Sequence, residues 1–210
     1  MIPTSIPGVV MGVLLAASTT AAAQDRPLTS SSLTLYGGYR MGGRLTESTT
    51  EKTIVVDEHA SFALALDIAL DPGRQTEVFF SHQKSALSSS GFSPSLDGQP
   101  ISIDYFHIGG TSFLGKVIAG TYVVGGIGAT RAKPDFGGLH AATRLSLNLG
   151  LGYLLPLGGN LAARFEARGY GTLVESEGGL FCGGDSGCLI SVKGRALYQT
   201  EVLLGLSGRF

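Results

Sequence analysis

The chain has 210 residues, 15 basic and 16 acidic, for a net charge of −1; 43% of it is hydrophobic and only 15% charged. That balance argues against a nucleic-acid partner, which calls for a basic patch. No apolar run approaches the roughly 18 residues of a membrane-crossing helix, so the apolar bias and the 32 glycines need another explanation.

The longest apolar patch lies near the amino terminus, around Val9 to Ala17. Ile6 to Ala17 can serve as the hydrophobic region of a signal peptide, and Ala21-Ala22-Ala23 before Gln24 has the form of a cleavage site. Residues 1–23 therefore read as a signal peptide and 24–210 as one domain, although no Lys or Arg precedes the apolar region. No Cys near the site would allow a lipoprotein anchor.

Beyond a polar leader, strand-like alternation of period 2 governs the chain. Leu33 to Gly43 reads as the first strand, with Leu33, Leu35, Tyr39 and Met41 on one face and Thr34, Tyr36, Gly38 and Arg40 on the other. Arg44 to Thr53 is a long loop. In the second strand, near Val56 to Leu70, Phe62, Leu64, Leu66, Ile68 and Leu70 alternate with Ser61, Ala63, Ala65, Asp67 and Ala69. Asp71-Pro72-Gly73-Arg74 is a tight turn, with Pro presetting φ and Gly supplying a positive φ. The third strand, Gln75 to Lys84, sets Val78 and Phe80 against Glu77, Phe79, Ser81 and Gln83. Ser85 to Pro100 is a second long loop. Ile101 to Phe113 and Val117 to Arg131 are the fourth and fifth strands, joined by a short turn.

A shorter loop, Ala132 to Leu139, leads to the sixth strand, His140 to Leu154. There Thr143, Leu145, Leu147, Leu149, Leu151 and Tyr153 alternate with Arg144, Ser146, Asn148, Gly150 and Gly152. A turn at Pro156 to Asn160 precedes the seventh strand, Leu161 to Leu173, whose Leu161, Ala163, Phe165 and Ala167 oppose Arg164, Glu166, Arg168 and Tyr170. Val174 to Ser191 is the last long loop. The final strand, Ala196 to Phe210, carries Tyr198, Val202, Leu204, Leu206 and Phe210 on its apolar face and Gln199 and Glu201 on the other. Connections alternate long and short, and charged residues share a face with many Gly and Ala. Both features predict an all-β chain: an eight-stranded antiparallel up-and-down transmembrane β-barrel, apolar outside and polar within. A soluble ligand-binding barrel would reverse the two faces.

In its alternation, loop asymmetry and terminal Phe210, the chain resembles the small eight-stranded bacterial outer-membrane β-barrels, the OmpX-like proteins and the OmpA membrane domain. The resemblance implies an outer-membrane location with both termini periplasmic. Its lipid partners would be outer-membrane lipid and lipopolysaccharide. It also implies that the barrel-assembly machinery reads a carboxy-terminal signal formed by Tyr198, Val202, Leu204, Leu206 and Phe210. A monomer with a structural or surface-adhesive role follows, its loops offered to a ligand. The absence of Trp leaves interfacial anchoring to Tyr39, Phe80, Phe106, Tyr153 and Phe165.

Catalytic motifs are weak. Gly184-Asp185-Ser186-Gly187 matches the surroundings of a serine-protease nucleophile, but the rest of a triad has no fold to place it. His59-Ala60-Ser61 has the spacing seen in lipid A deacylases, themselves eight-stranded barrels, yet it lies in the second strand rather than near the carboxy terminus. Gly126-Ile127-Gly128 and Gly150-Leu151-Gly152 lack the strand-to-helix context of a phosphate-binding loop. No metal spacing is present, and neither a cofactor nor an enzymatic activity is expected. A lipid A-modifying enzyme and a narrow solute pore remain the alternatives.

Two expectations concern particular residues. Cys182 and Cys188, the two cysteines of the chain, are predicted to pair as a disulfide in the last outer loop, given export into an oxidising compartment. The inward charges are Arg40, Arg144, Arg164 and Arg168 against Asp67, Glu77, Glu166 and Glu201. Four against four is a nearly neutral lumen, whereas an ion-selective pore favours a ring of one sign. Glu201 is predicted to sit between Arg40 and Arg168 in a network that plugs the barrel.

Overall fold

The computed structural model describes residues 30–46, 53–89, 97–115, 117–136, 140–174, 179–182, 188–191 and 196–210. The proposed signal peptide and Gly184-Asp185-Ser186-Gly187 lie outside them. The described strands are β1 (Ser31–Gly42), β2 (Arg44–Thr46), β3 (Thr53–Val56), β4 (His59–Asp71), β5 (Arg74–Ser89), β6 (Gln99–Phe113), β7 (Gly120–Pro134), β8 (Ala142–Gly158), β9 (Leu161–Leu173), β10 (Gly179–Cys182), β11 (Cys188–Ser191) and β12 (Ala196–Arg209).

Eight long strands close into a barrel. Antiparallel ladders run from β1 through β4, β5, β6, β7, β8, β9 and β12, and β12 pairs back with β1 from Ser32–Arg209 to Gly42–Gln199. Closure leaves no free edge, so backbone donors and acceptors are met between strands and the outer wall can be apolar. The wall is apolar. On β8, Leu145, Leu147, Leu149, Leu151 and Tyr153 are each 47–69% exposed, while Ser146, Asn148 and Gly152 between them are buried. Leu33, Leu35, Ile68, Leu70, Ile108, Ile127, Phe165, Leu204 and Leu206 extend this band around the barrel. A soluble monomer does not expose a continuous apolar surface of this size. The fold is an eight-stranded antiparallel barrel of the transmembrane kind.

The short connections share one end with Ser31 and Phe210, whose backbones bond to each other. At Asp71-Pro72-Gly73-Arg74, the Gly73 amide donates to Asp71 Oδ1 at 2.9 Å and Arg74 Nε to Oδ2 at 2.6 Å. Gly73 thus serves as an amide donor rather than through a positive φ; that conformation falls instead at Gly158 (φ 111) and Gly159 (φ 55) in the β8–β9 turn.

The long connections share the other end, and several strands run further into them than their composition suggests. β5 continues to Ser89 and meets β6 from Gln99, so Ser85 to Ser89 and Gln99 to Pro100, expected as loop, are strand. β2 and β3 pair within the first loop, and β10 and β11 form a small hairpin within the last. Ser, Gly and Pro read as turn formers, but a neighbouring strand that satisfies their backbone groups overrides that preference. At the short-turn end, β8 runs to Gly158, with a bulge at Pro156, which has no amide to donate.

Candidate functional site

Every second residue of the eight strands enters a lumen narrow enough for side chains to fill. Two polar clusters occupy it. The one nearer the short turns is built by β4, β5 and β9. Arg164 Nη1 lies 2.5 Å from Asp67 Oδ2, and its Nη2 lies 3.6 Å from both Glu77 and Glu166. Arg168 Nη2 donates to both oxygens of Glu77, at 2.8 and 3.0 Å, and its Nε pairs with Glu166. Tyr122 OH donates to Glu166 at 2.6 Å and Tyr36 OH at 3.3 Å. The guanidinium of Arg168 stacks 3.7 Å above the Phe79 ring.

The second cluster lies toward the long loops. Arg40 Nη2 is 3.1 Å from Glu201 Oε1, with both side chains fully buried. Ser81 Oγ donates to Glu201 at 3.0 Å, and Tyr170 OH also donates to Glu201. Tyr105 and Tyr170 stack with centroids 4.1 Å apart, and Arg40 lies 4.7 Å from the Tyr105 centroid. Gln83 Nε2 donates to the carbonyls of Arg40 and His59, each at 3.1 Å. His107 Nε2 meets Ser146 Oγ at 2.9 Å, and the Thr130 and Thr172 hydroxyls meet at 2.7 Å.

Apolar side chains close both ends. Val56, Leu87, Ile101, Ile103, Val174 and Leu197 are buried at the long-loop end, and Phe113, Val124, Leu154 and Ala162 at the short-turn end. Charged layers between two apolar plugs do not line a water-filled path. Among the described residues, side chains fill the lumen from end to end.

The predicted lumen residues therefore separate. Arg40, Asp67, Glu77, Arg164, Glu166, Arg168 and Glu201 enter the two clusters. Arg144 does not: it is half-buried at the long-loop rim, where its Nη1 donates to the Thr143 carbonyl at 3.2 Å. Among the described residues, the two clusters thus hold three guanidiniums against four carboxylates, not four against four. Tyrosine and serine hydroxyls supply the donors a fourth arginine would have given. The expected bridge of Glu201 between Arg40 and Arg168 is also corrected. Backbone register does align Arg40, Glu201 and Arg168 across β1, β12 and β9. Arg168 nevertheless turns to Glu77 and Glu166, two carboxylates for one guanidinium, while Arg40, Ser81 and Tyr170 surround Glu201. The sequence places Tyr36, Tyr170 and Ser81 inward without giving their hydroxyls a role; Tyr105 and Tyr122, on the inward parity of their strands, join them as buried side chains.

The candidate catalytic pair does not assemble. His59 Nδ1 lies 3.4 Å from Ser85 Oγ, a hydroxyl that also donates to the Asp57 carbonyl at 2.5 Å, while Ser61 Oγ sits beneath Gly38 without a hydrogen bond. No cluster of metal-ligating residues occurs among the described residues. At the small hairpin, backbone pairing sets Cys182 opposite Cys188. Tyr198, Val202, Leu204, Leu206 and Phe210 all face outward, 53–74% exposed.

No family model and no curated protein matches the sequence. Solved structures do match the fold. The chain is similar to the outer membrane protein AlkL (TM-score 0.55, 11% identity, covering 93% of this chain and 97% of that one). It is also similar to OprG from Pseudomonas aeruginosa (0.52, 11%, 87% and 96%) and to Neisserial surface protein A (0.51, 12%, 86% and 97%). The barrel is therefore that of the small eight-stranded outer-membrane proteins; at such identities, the likeness concerns the fold.

Proposed function

We propose that this is an exported Gram-negative outer-membrane barrel with a structural or surface-contact role, its long connections displayed outside the cell and both termini in the periplasm. The observation that carries the reading is the sealed lumen. With the interior filled by ion pairs and both ends plugged by apolar side chains, transport has no path. The long-loop end is left as the surface that can differ in chemistry from one barrel to the next. The reading assigns no enzymatic activity: His59 Nδ1 turns to Ser85, and Ser61 Oγ makes no hydrogen bond. Export through an oxidising compartment, with Cys182 and Cys188 at paired positions, supports a disulfide that pins the tip of the last loop. Partners at antiparallel positions lie about 4.5–5.5 Å apart at Cα, within the span a disulfide bridges. Lipid, lipopolysaccharide and the barrel-assembly machinery are the partners this location entails.

Replacing residues 175–195 by a short turn tests the role. Binding of expressing cells to host-cell or extracellular-matrix surfaces should drop, while the heat-dependent gel mobility of the folded barrel stays. Unchanged binding in every loop-shortened variant would contradict a contact role, and steady conductance in planar bilayers would favour a pore.

A further inference from the structure

The charge imbalance of the lumen is confined to one of its two clusters. Toward the long loops, Arg40 and Glu201 balance each other. Nearer the short turns, Arg164 and Arg168 face Asp67, Glu77 and Glu166, two guanidiniums against three carboxylates. Arg209, at the mouth below, directs its Nη2 to the Ile118 carbonyl at 3.0 Å. A buried charge without a partner is very costly, so this cluster calls for one further positive charge.

Orphaned oxygens lie beside the same acids. Arg164 Nη1 takes Asp67 Oδ2, while Asp67 Oδ1 is buried with no hydrogen-bond partner. Gln75 Oε1 and Thr111 Oγ1 are likewise buried and unpartnered. Their side chains are sealed from solvent: Asp67 is 0%, Gln75 4% and Thr111 2% exposed. The ladders bring the three together. Gln75 stands directly opposite Thr111 across β5 and β6. Asp67, opposite Glu77, is the diagonal neighbour of Gln75 across β4 and β5. None of the three oxygens hydrogen-bonds to another. A cation that bonds each oxygen at about 2.4 Å holds its ligands further apart than a hydrogen bond does.

The donor set also fixes the kind of ion. A carboxylate oxygen, an amide oxygen and a hydroxyl are hard ligands, and an excess of one negative charge matches a monovalent ion. A divalent ion would reverse the imbalance instead of removing it. The several acidic, imidazole or thiol ligands of a transition-metal centre do not occur together among the described residues. We propose that Asp67, Gln75 and Thr111 bind one alkali cation of sodium size inside the barrel. The ion enters as the barrel closes and is held above the apolar plug of Phe113, Val124, Leu154 and Ala162. It neutralises the cluster and ties β4, β5 and β6 together from within.

Urea unfolding of the barrel in phosphatidylcholine vesicles tests the site, in sodium chloride against choline chloride at one ionic strength and pH. An ion bound only by the folded state raises the folded-to-unfolded ratio about ten-fold for each ten-fold rise in its concentration above the dissociation constant. Wild type should show that slope in sodium and none in choline. Asp67→Asn equalises the charges of the cluster and should abolish the slope. If Asp67→Asn does not refold, Gln75→Leu with Thr111→Val leaves the Asp67–Arg164 pair intact. That double variant should need about ten-fold more sodium, or beyond, before the slope begins. Ser81→Ala, in the balanced cluster, should keep the wild-type slope. Equal ratios in sodium and choline overturn the site, and so does a slope that survives Asp67→Asn. A ratio that follows pH and ignores sodium also overturns it, since a proton then supplies the missing charge.

Discussion

At the scale of single residues, the lumen is held by charges that have left water. Moving an ionised group into a buried site is costly unless partners replace its hydration, and removing one partner leaves the other stranded. Arg40 and Glu201 are both fully buried, so Glu201→Ala leaves the Arg40 guanidinium without its carboxylate. Unfolding in urea from lipid vesicles should show a loss of about 3–5 kcal/mol, with loss of the heat-dependent gel shift at lower temperature. Arg144→Ala, at the rim, should change stability by no more than about 0.5 kcal/mol, as for a surface substitution. A loss at Arg144 as large as at Glu201 would restore it to the network. Tyr122→Phe isolates one hydroxyl. It removes the 2.6 Å donor to Glu166 and should destabilise by about 1.5–3 kcal/mol, the range for a hydrogen bond to a charged group.

At the scale of strands and turns, close backbone approach decides what is tolerated. A Cβ at Gly128 would fall on the Phe106 carbonyl, and one at Gly109 on the Gly125 carbonyl, so neither can be relieved by a side-chain rotation. Gly128→Val should therefore open the β6–β7 ladder, seen as faster amide exchange there than in β12. The β4–β5 turn has its own signature. Hydrogen bonds from the Gly73 amide, then from Arg74, hold the Asp71 carboxyl below its ordinary range. A group depressed in the folded state contributes stability above its unfolded value and loses it as pH falls through the folded one. Carboxyl NMR should show Asp71 titrating below a free aspartate, and Arg74→Ala should move it upward. At the last loop, both cysteines of unreduced protein should resist thiol labelling; free labelling would remove the proposed disulfide. Facing was legible at this scale because a period of two needs only parity. Strand ends were not: Ser85 to Ser89 and Gln99 look like loop, and only the neighbouring ladder makes them strand. Nor does sequence give side-chain direction, so Arg168 and Arg144 shared a parity with Arg40 yet took different partners.

At the scale of the whole molecule, the barrel inverts a soluble protein: leucines outside, arginines and carboxylates inside, apolar plugs above and below. The eight-stranded closure was legible from the alternation and from connections that run long and short in turn. The lumen's excess of one carboxylate was not, because it depends on Arg144 stopping at the rim. A sealed barrel should give no steady conductance in planar bilayers. The most direct test of the inversion places spin labels singly along β8, at Ser146, Leu147, Asn148 and Leu149, in the barrel reconstituted into phosphatidylcholine vesicles. Collision with oxygen, which partitions into lipid, should be high at Leu147 and Leu149. Collision with a water-soluble nickel chelate should be low at all four positions, because the lumen is filled and the wall faces lipid. High chelate accessibility at Ser146 and Asn148 would mean an open water column, and at Leu147 and Leu149 a wall that faces water; either result would contradict the account.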